Sequence, residues 1–298
     1  MPDAVTPAQT TSTPSKGQVF LSRLSSTLGL WAVITVALWL KLDWLLLAMM
    51  GLVGVLGTWE YVRLQNADGG SQIYSKWSLL VSVFYWSAVL FICVPSGSEP
   101  PWWLDAAVLV CGVQGIFIIT FSRPLEGEQT LRRIFGQLFG LVYTILLWGF
   151  MARLLLMDEA ASGRHMVLLV ILVTKFGDMG AYILGSLFGK HKMIPHISPG
   201  KTWEGFAGAI LSAYLGTIIL LLLAPDSLLP LSWGSAMILA PMLAIWGVMG
   251  DLAESVLKRC HQIKDSGHKL PGIGGILDLT DSLLFTAPLA YFYLKVIA

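Results

Sequence analysis

Long apolar runs alternate with short polar breaks along the chain. Nine runs stand out, near residues 24–41, 43–62, 77–95, 102–121, 134–156, 165–188, 203–224, 234–257 and 276–297. Each approaches the ~20 residues with which an α-helix crosses roughly 30 Å of hydrocarbon. A soluble chain of this size would show shorter amphipathic stripes. The breaks carry turn formers: Asn66-Ala67-Asp68-Gly69-Gly70, Pro95-Ser96-Gly97-Ser98, Arg123-Pro124 and Pro225-Asp226. Only Lys41-Leu42-Asp43 separates the first two runs, so one of that pair is expected to be short or re-entrant. The predicted fold is all-α, a polytopic transmembrane helix bundle of about nine spans.

Composition agrees with the pattern: 55% of the residues are hydrophobic and 12% charged, against about 25% charged in a soluble domain. Of the 19 Lys and Arg, Lys41, Arg153, Arg164 and Lys295 fall on one side of such a bundle, and Lys175 falls within a run. The other 14 share the side of the N-terminus. The positive-inside rule then puts the N-terminus in the cytoplasm and the C-terminus outside. Residues 1–22, rich in Thr, Ser, Pro and Ala at their start, read as a disordered tail rather than a signal peptide. A net charge of +1 suggests no nucleic-acid partner, and the odd count of three cysteines suggests neither a disulfide framework nor a metal cluster. No internal repeat of transporter type is visible.

Charges inside the runs change the picture. Lys175 and Asp178 lie in the sixth run, Asp251 and Glu254 in the eighth, and Asp278 and Asp281 at the start of the ninth. A central Asp or Lys costs about 2.5–3.5 kcal/mol on insertion scales, so these groups must face one another, water or an ion. Asp251, Glu254, Ser255 and Lys258 stand at i, i+3, i+4 and i+7, one helix face. Asp278 and Asp281 are i, i+3 on the next helix. Asp251, Asp278 and Asp281 together could hold a hard cation such as Mg²⁺, with a second cation left open. The competing reading is a set of interhelical salt bridges to Lys258, Arg259 or Lys175. The chain thus divides into the tail at 1–22, membrane helices over 23–170 and a membrane region over 171–298 that holds the reactive groups.

The loops beside this cluster suit phosphate. One runs from Gly189-Lys190-His191-Lys192 to Ser198-Pro199-Gly200-Lys201-Thr202. The other holds Lys258-Arg259, Lys264-Asp265-Ser266-Gly267 and Gly274-Gly275. Lys, hydroxyls and Gly let side chains and backbone N–H groups approach an anion. Gly200-Lys201-Thr202 is not a nucleotide P-loop, because Pro195 stands where the first Gly is required and no strand is expected before it. Ser198 reads instead as the N-cap of the seventh helix, with Lys201 free to reach a phosphate. His191, His196, His261 and His268 lack metal-ligand spacing and read as solvated loop residues.

These residues resemble the phosphatidate cytidylyltransferases (CDP-diacylglycerol synthases). The family signature runs Ser-x-x-Lys-Arg, Lys-Asp-x-Gly, Pro-x-His-Gly-Gly and Asp-Arg-x-Asp. Here it reads Ser255-Val256-Leu257-Lys258-Arg259, Lys264-Asp265-Ser266-Gly267, Pro271-Gly272-Ile273-Gly274-Gly275 and Asp278-Leu279-Thr280-Asp281. The upstream blocks Asp178–Tyr182, Gly189–Lys192 and Ser198–Gly205 are similar too. The resemblance implies that CTP and phosphatidic acid give CDP-diacylglycerol and pyrophosphate within the membrane. It implies catalytic roles for Asp178, Ser198, Lys201, Ser255, Lys258, Arg259, Lys264 and Asp265. Substrate phosphates would be held by Lys201, Lys258, Arg259, Gly274 and Gly275. It also implies a homodimer, and the lack of eukaryotic targeting signals suggests a bacterial inner membrane.

Three positions depart from the pattern: Ile273 for the family His, Leu279 for the Arg, and Met179 after Asp178. Lys175 stands where the family has an apolar or aromatic residue, so it is expected either to replace the missing guanidinium or to pair with Asp178. The alternatives are a paralogue using another nucleotide or lipid phosphate, a transporter, since carboxylates within helices also mark ion paths, and a weak or inactive homologue.

Overall fold

The computed structural model describes residues 36–37, 40–67, 72–158, 162–261 and 275–298. Its helices follow the apolar runs: α1 Asp43–Ala67, α2 Gln72–Ser96, α3 Trp102–Phe121, α4 Glu128–Leu155, α5 Gly163–Phe188, α6 Trp203–Leu223, α7 Trp233–Cys260 and α8 Ile276–Ile297. Among the described residues, α1 to α7 are long and apolar enough to cross a membrane. The 22-residue α8 has the length, and its opening Asp278 and Asp281 dilute its hydropathy. The first predicted run, 24–41, falls almost wholly outside the described residues.

Helix boundaries have local causes. Ser232 caps α7 by accepting the Ser235 N–H, while the Ser235 hydroxyl accepts the Ser232 N–H, a reciprocal cap. The opening turns of α4 are amphipathic and carry an exposed Arg132–Glu128 pair. Its middle, Leu141–Leu146, is π-helical.

An antiparallel hairpin, β1 Lys192–Ile194 and β2 Ser198–Thr202, interrupts the otherwise helical chain, pairing Lys192 with Thr202 and Ile194 with Ser198. This overturns the reading of 189–202 as an open loop. Ser198 is not the helix cap, because it opens β2 four residues too early. Thr202 caps α6, its hydroxyl accepting the Gly205 N–H at 3.1 Å. A strand does precede Gly200, yet Gly200-Lys201-Thr202 is itself extended strand rather than a phosphate loop. His191 does more than face solvent, since its Nδ1 lies 2.6 Å from Glu204 Oε1 at the base of the hairpin.

Without a hydrophobic drive between helices in lipid, close packing and interhelical hydrogen bonds hold such a bundle together. Helices α5 and α6 meet through glycine: a Cβ on Gly208 would stand 2.5 Å from the Gly180 carbonyl oxygen. In the N-terminal half, buried Thr58 bonds Ser82 and Thr144, and Ser78 donates to Gln137. At the far end from the hairpin, buried Arg153 donates to Asp105 and to the Pro100 carbonyl, while Glu99 accepts from Tyr291 and pairs with Lys295. That network ties α4 and α8 to the α2–α3 connection. Outward apolar side chains such as Phe91, 83% exposed, form the surface that lipid would cover.

Gly208→Val should therefore lower the thermal midpoint of the detergent-purified protein, by the roughly 1–3 kcal/mol typical of overpacking. Gly200→Ala, whose added Cβ has nothing within 4 Å, should leave the midpoint unchanged.

Candidate active site

A cavity of about 630 Å³ opens between α5, the hairpin, α6, α7 and α8. The elements deliver its charged groups by different routes. Helical period places Asp251, Glu254 and Lys258 along one face of α7. Helix α8 begins at Ile276, just after its N-cap Gly275, and brings Asp278 and Asp281 in its first two turns. The hairpin lays β2 across the opening, so that Lys201 reaches inward to Asp251 Oδ2 at 2.8 Å and to the Val248 carbonyl at 3.1 Å. Helices α7 and α8 cross closely because position 250 is glycine: a Cβ there would stand 2.4 Å from the Asp281 carbonyl oxygen.

Lys258 Nζ lies 2.7 Å from Glu254 Oε2 and also pairs with Asp278. Asp278 Oδ2 in turn accepts the Gly275 N–H at 2.9 Å, closing the first turn of α8. Lys175 pairs with Asp178 at 3.2 Å, and Ser282 donates to the other Asp178 oxygen at 3.4 Å. The interhelical salt-bridge reading thus holds for Asp278 with Lys258, Lys175 pairs with Asp178 within α5, and Asp251 pairs with Lys201, which that reading did not name.

Asp251, Glu254 and Asp281 each present a carboxylate oxygen, all within 4.8 Å of one another. Glu254 is 2% exposed, and its Oε1 is buried without a hydrogen-bond partner. Five carboxylates line the cavity beside three Lys side chains. Three hard oxygen donors, one of them on a carboxylate with an unmatched buried oxygen, could hold a divalent cation such as Mg²⁺. This trio differs from the expected one in a single member: Asp278 is paired with Lys258, and Glu254 stands with Asp251 and Asp281.

Other expected residues divide. Asp178, Ser198, Lys201 and Lys258 line the cavity. Ser255 is half-buried and does not line it. Arg259 is exposed, its Nε donating to the Ile197 carbonyl at 3.3 Å, so it fastens the hairpin turn. Gly275 is the N-cap of α8. Lys264, Asp265, Gly274 and Ile273 lie outside the described residues. Met179 is exposed on α5 and Leu279 half-buried on α8, and neither side chain lines the cavity.

Sequence reasoning missed two groups. Glu254 was placed on the right face of α7 but given no role, although its i+3 spacing brings it beside Asp251. Glu60 was overlooked, although it too is an acid inside an apolar run. It is buried, and its Oε2 accepts the Leu277 N–H of α8 at 2.8 Å.

Comparison with known proteins fits this arrangement. The sequence profile of the cytidylyltransferase family matches residues 21–297. The chain is 28% identical over 257 residues to the uncharacterised protein YnbB of Escherichia coli (strain K12), covering 85% of this chain and 80% of that protein. It is 48% identical over 117 residues to the phosphatidate cytidylyltransferase of Bacillus subtilis (strain 168), covering 39% and 42%. The phosphatidate cytidylyltransferase of Mycobacterium leprae (strain TN) is 38% identical over 195 residues, covering 62% and 60%. The matched part of the chain spans about half the length of these two named enzymes.

Removing the shared cation should strand two carboxylates. Lys258→Met is expected to cost roughly 3–5 kcal/mol, as for a broken buried pair, read as a lower thermal midpoint in detergent. Adding Glu254→Gln and Asp278→Asn should recover most of the loss.

Proposed function

The chain belongs to the cytidylyltransferase family, and from that premise we propose that it makes CDP-diacylglycerol and pyrophosphate from CTP and phosphatidic acid. A phosphatidate oxygen would attack the α-phosphorus of CTP as the bond to the β-phosphate breaks, and pyrophosphate carries away the displaced electron pair. No protein nucleophile is needed. The observation that carries the reading is the convergence of Lys201 and Lys258 on the carboxylates of one cavity.

The chief obstacle is charge. At an effective dielectric near 20, two unit charges 4 Å apart repel by about 4 kcal/mol, and both reactants are anions. Asp251, Glu254 and Asp281 would hold Mg²⁺, which when bound neutralises phosphate charge and aligns an in-line displacement. Lys201 and Lys258 are ammonium groups that can exchange a carboxylate partner for a phosphate oxygen. Lys175, paired with Asp178 further along α5, adds a third cation to the cavity wall. We further propose that the site faces the cytoplasm of a bacterial inner membrane, where soluble CTP meets a lipid that stays in the bilayer.

A second reading is favoured by the long match to an uncharacterised protein, together with Leu279 and Ile273 in the signature: a paralogue that uses another nucleotide or lipid phosphate.

Detergent-purified protein with labelled CTP, phosphatidic acid and Mg²⁺ should yield labelled CDP-diacylglycerol. Asp281→Asn should reduce the rate by roughly 100-fold or more, beyond the usual loss for an outer-sphere partner. Chelation of divalent cations should abolish it reversibly. Folded protein that makes no labelled lipid from CTP, yet does so from another nucleotide, would favour the paralogue. Lys175→Met should also suppress turnover, and a fully active Lys175→Met protein would remove Lys175 from the site chemistry.

A further inference from the structure

Glu60 lies in α1, far from the signature in sequence, and is only 2% exposed. The hydrogen bond its carboxylate accepts comes from a helix terminus: Leu277 N–H reaches Oε2 at 2.8 Å. Leu277 is the second residue of α8, so its N–H is among those an α-helix cannot satisfy internally. An unpaired donor in a low-dielectric interior is costly, and a carboxylate is favoured at the positive end of a helix. The surrounding packing brings the two helices together at this point. A Cβ on Gly57, one turn before Glu60, would stand 3.7 Å from Ile276 Cγ2 and 3.8 Å from Leu277 Cδ2.

What α8 carries makes this contact matter. Asp278 follows Leu277 directly and meets Lys258. Asp281 comes four residues after Leu277, about 6 Å along the axis and little more than one turn around it. A rotation of α8 at Leu277 is therefore transmitted to Asp281 almost in full. The close crossing at Gly250 pins the helix from α7, and the Glu60 bond holds its first turn from α1.

We infer that Glu60 is a positioning residue for the site, holding the start of α8 so that Asp278 meets Lys258 and Asp281 meets Asp251 and Glu254. The N-terminal helices then set the geometry of the carboxylate cluster as well as anchoring the chain. The activity arm of the test rests on the cytidylyltransferase reading above, and the exchange arm does not.

The variants to compare in the full-length protein are Glu60→Gln, whose amide oxygen still accepts a hydrogen bond, and Glu60→Met, similar in volume without an acceptor. Glu60→Met should lower kcat by roughly 10- to 100-fold per folded molecule, with KM for CTP within about threefold and a higher Mg²⁺ requirement. Glu60→Gln should retain kcat within about threefold. Hydrogen exchange should show the Leu277 amide protected in the wild type and in Glu60→Gln, and released in Glu60→Met. A Glu60→Met protein with wild-type kcat and a protected Leu277 amide overturns the inference. So does a loss of activity that merely follows the fraction unfolded in a thermal scan. If the wild type itself makes no labelled lipid, the functional reading fails, and the exchange comparison alone decides the role of Glu60.

Discussion

Lys258 stands between Glu254 on its own helix and Asp278 on the next, and much of the site geometry follows from that bridge. Carboxylates this deep in an apolar bundle are tolerated only when something compensates them. One ammonium joins α7 to the first turn of α8 and uses up Asp278. What remains is a compact carboxylate corner: Asp251, Asp281 and the second, unpartnered oxygen of Glu254. Lys201 enters that corner from the hairpin rather than from a helix. Lys258, by contrast, is shared by two carboxylates on separate helices and is part of the scaffold.

The scaffold keeps this corner in place by close approach. Gly250 lets α7 touch the backbone of α8, and Gly180 and Gly208 let α5 and α6 touch each other. Threonine, serine and glutamine hydrogen bonds bind α1, α2 and α4, as expected where lipid removes the hydrophobic drive between helices. At the opposite end, the cluster of Arg153, Asp105, Glu99, Tyr291 and Lys295 holds the far end of α8. Glu60 holds its near end. The helix that carries two of the site carboxylates is thus secured at both ends by buried polar contacts.

Most of this bundle was legible one helix at a time. The predicted runs 102–121 and 276–297 coincide with α3 and α8, because hydropathy over about 20 residues is a local property. The start of α4 was harder to see, because its first turns are amphipathic rather than apolar and sit outside the hydrophobic run. The hairpin was missed for a related reason. Residues 192–202 contain Pro, Gly and Lys with no apolar alternation, and their extended form depends on packing against α5 and α6. Gly185 and Gly189 both approach the Thr202 side chain, and nothing within 192–202 announces that contact.

The sequence by itself determined which residues share a helix face, that Asp251, Glu254 and Lys258 travel together, and which family the chain resembles. These depend on a fixed helical period and on motif spacing, both written along the chain. Only the tertiary structure decided which carboxylate meets which cation. It assigned Asp278 to Lys258, brought Glu254 into the trio with Asp251 and Asp281, and carried Glu60 across 217 positions to the start of α8. Partner choice of that kind is set by the rotation and crossing of helices remote in sequence. No local pattern encodes it, because every acid on an inward face is an equally good candidate until the helices are packed.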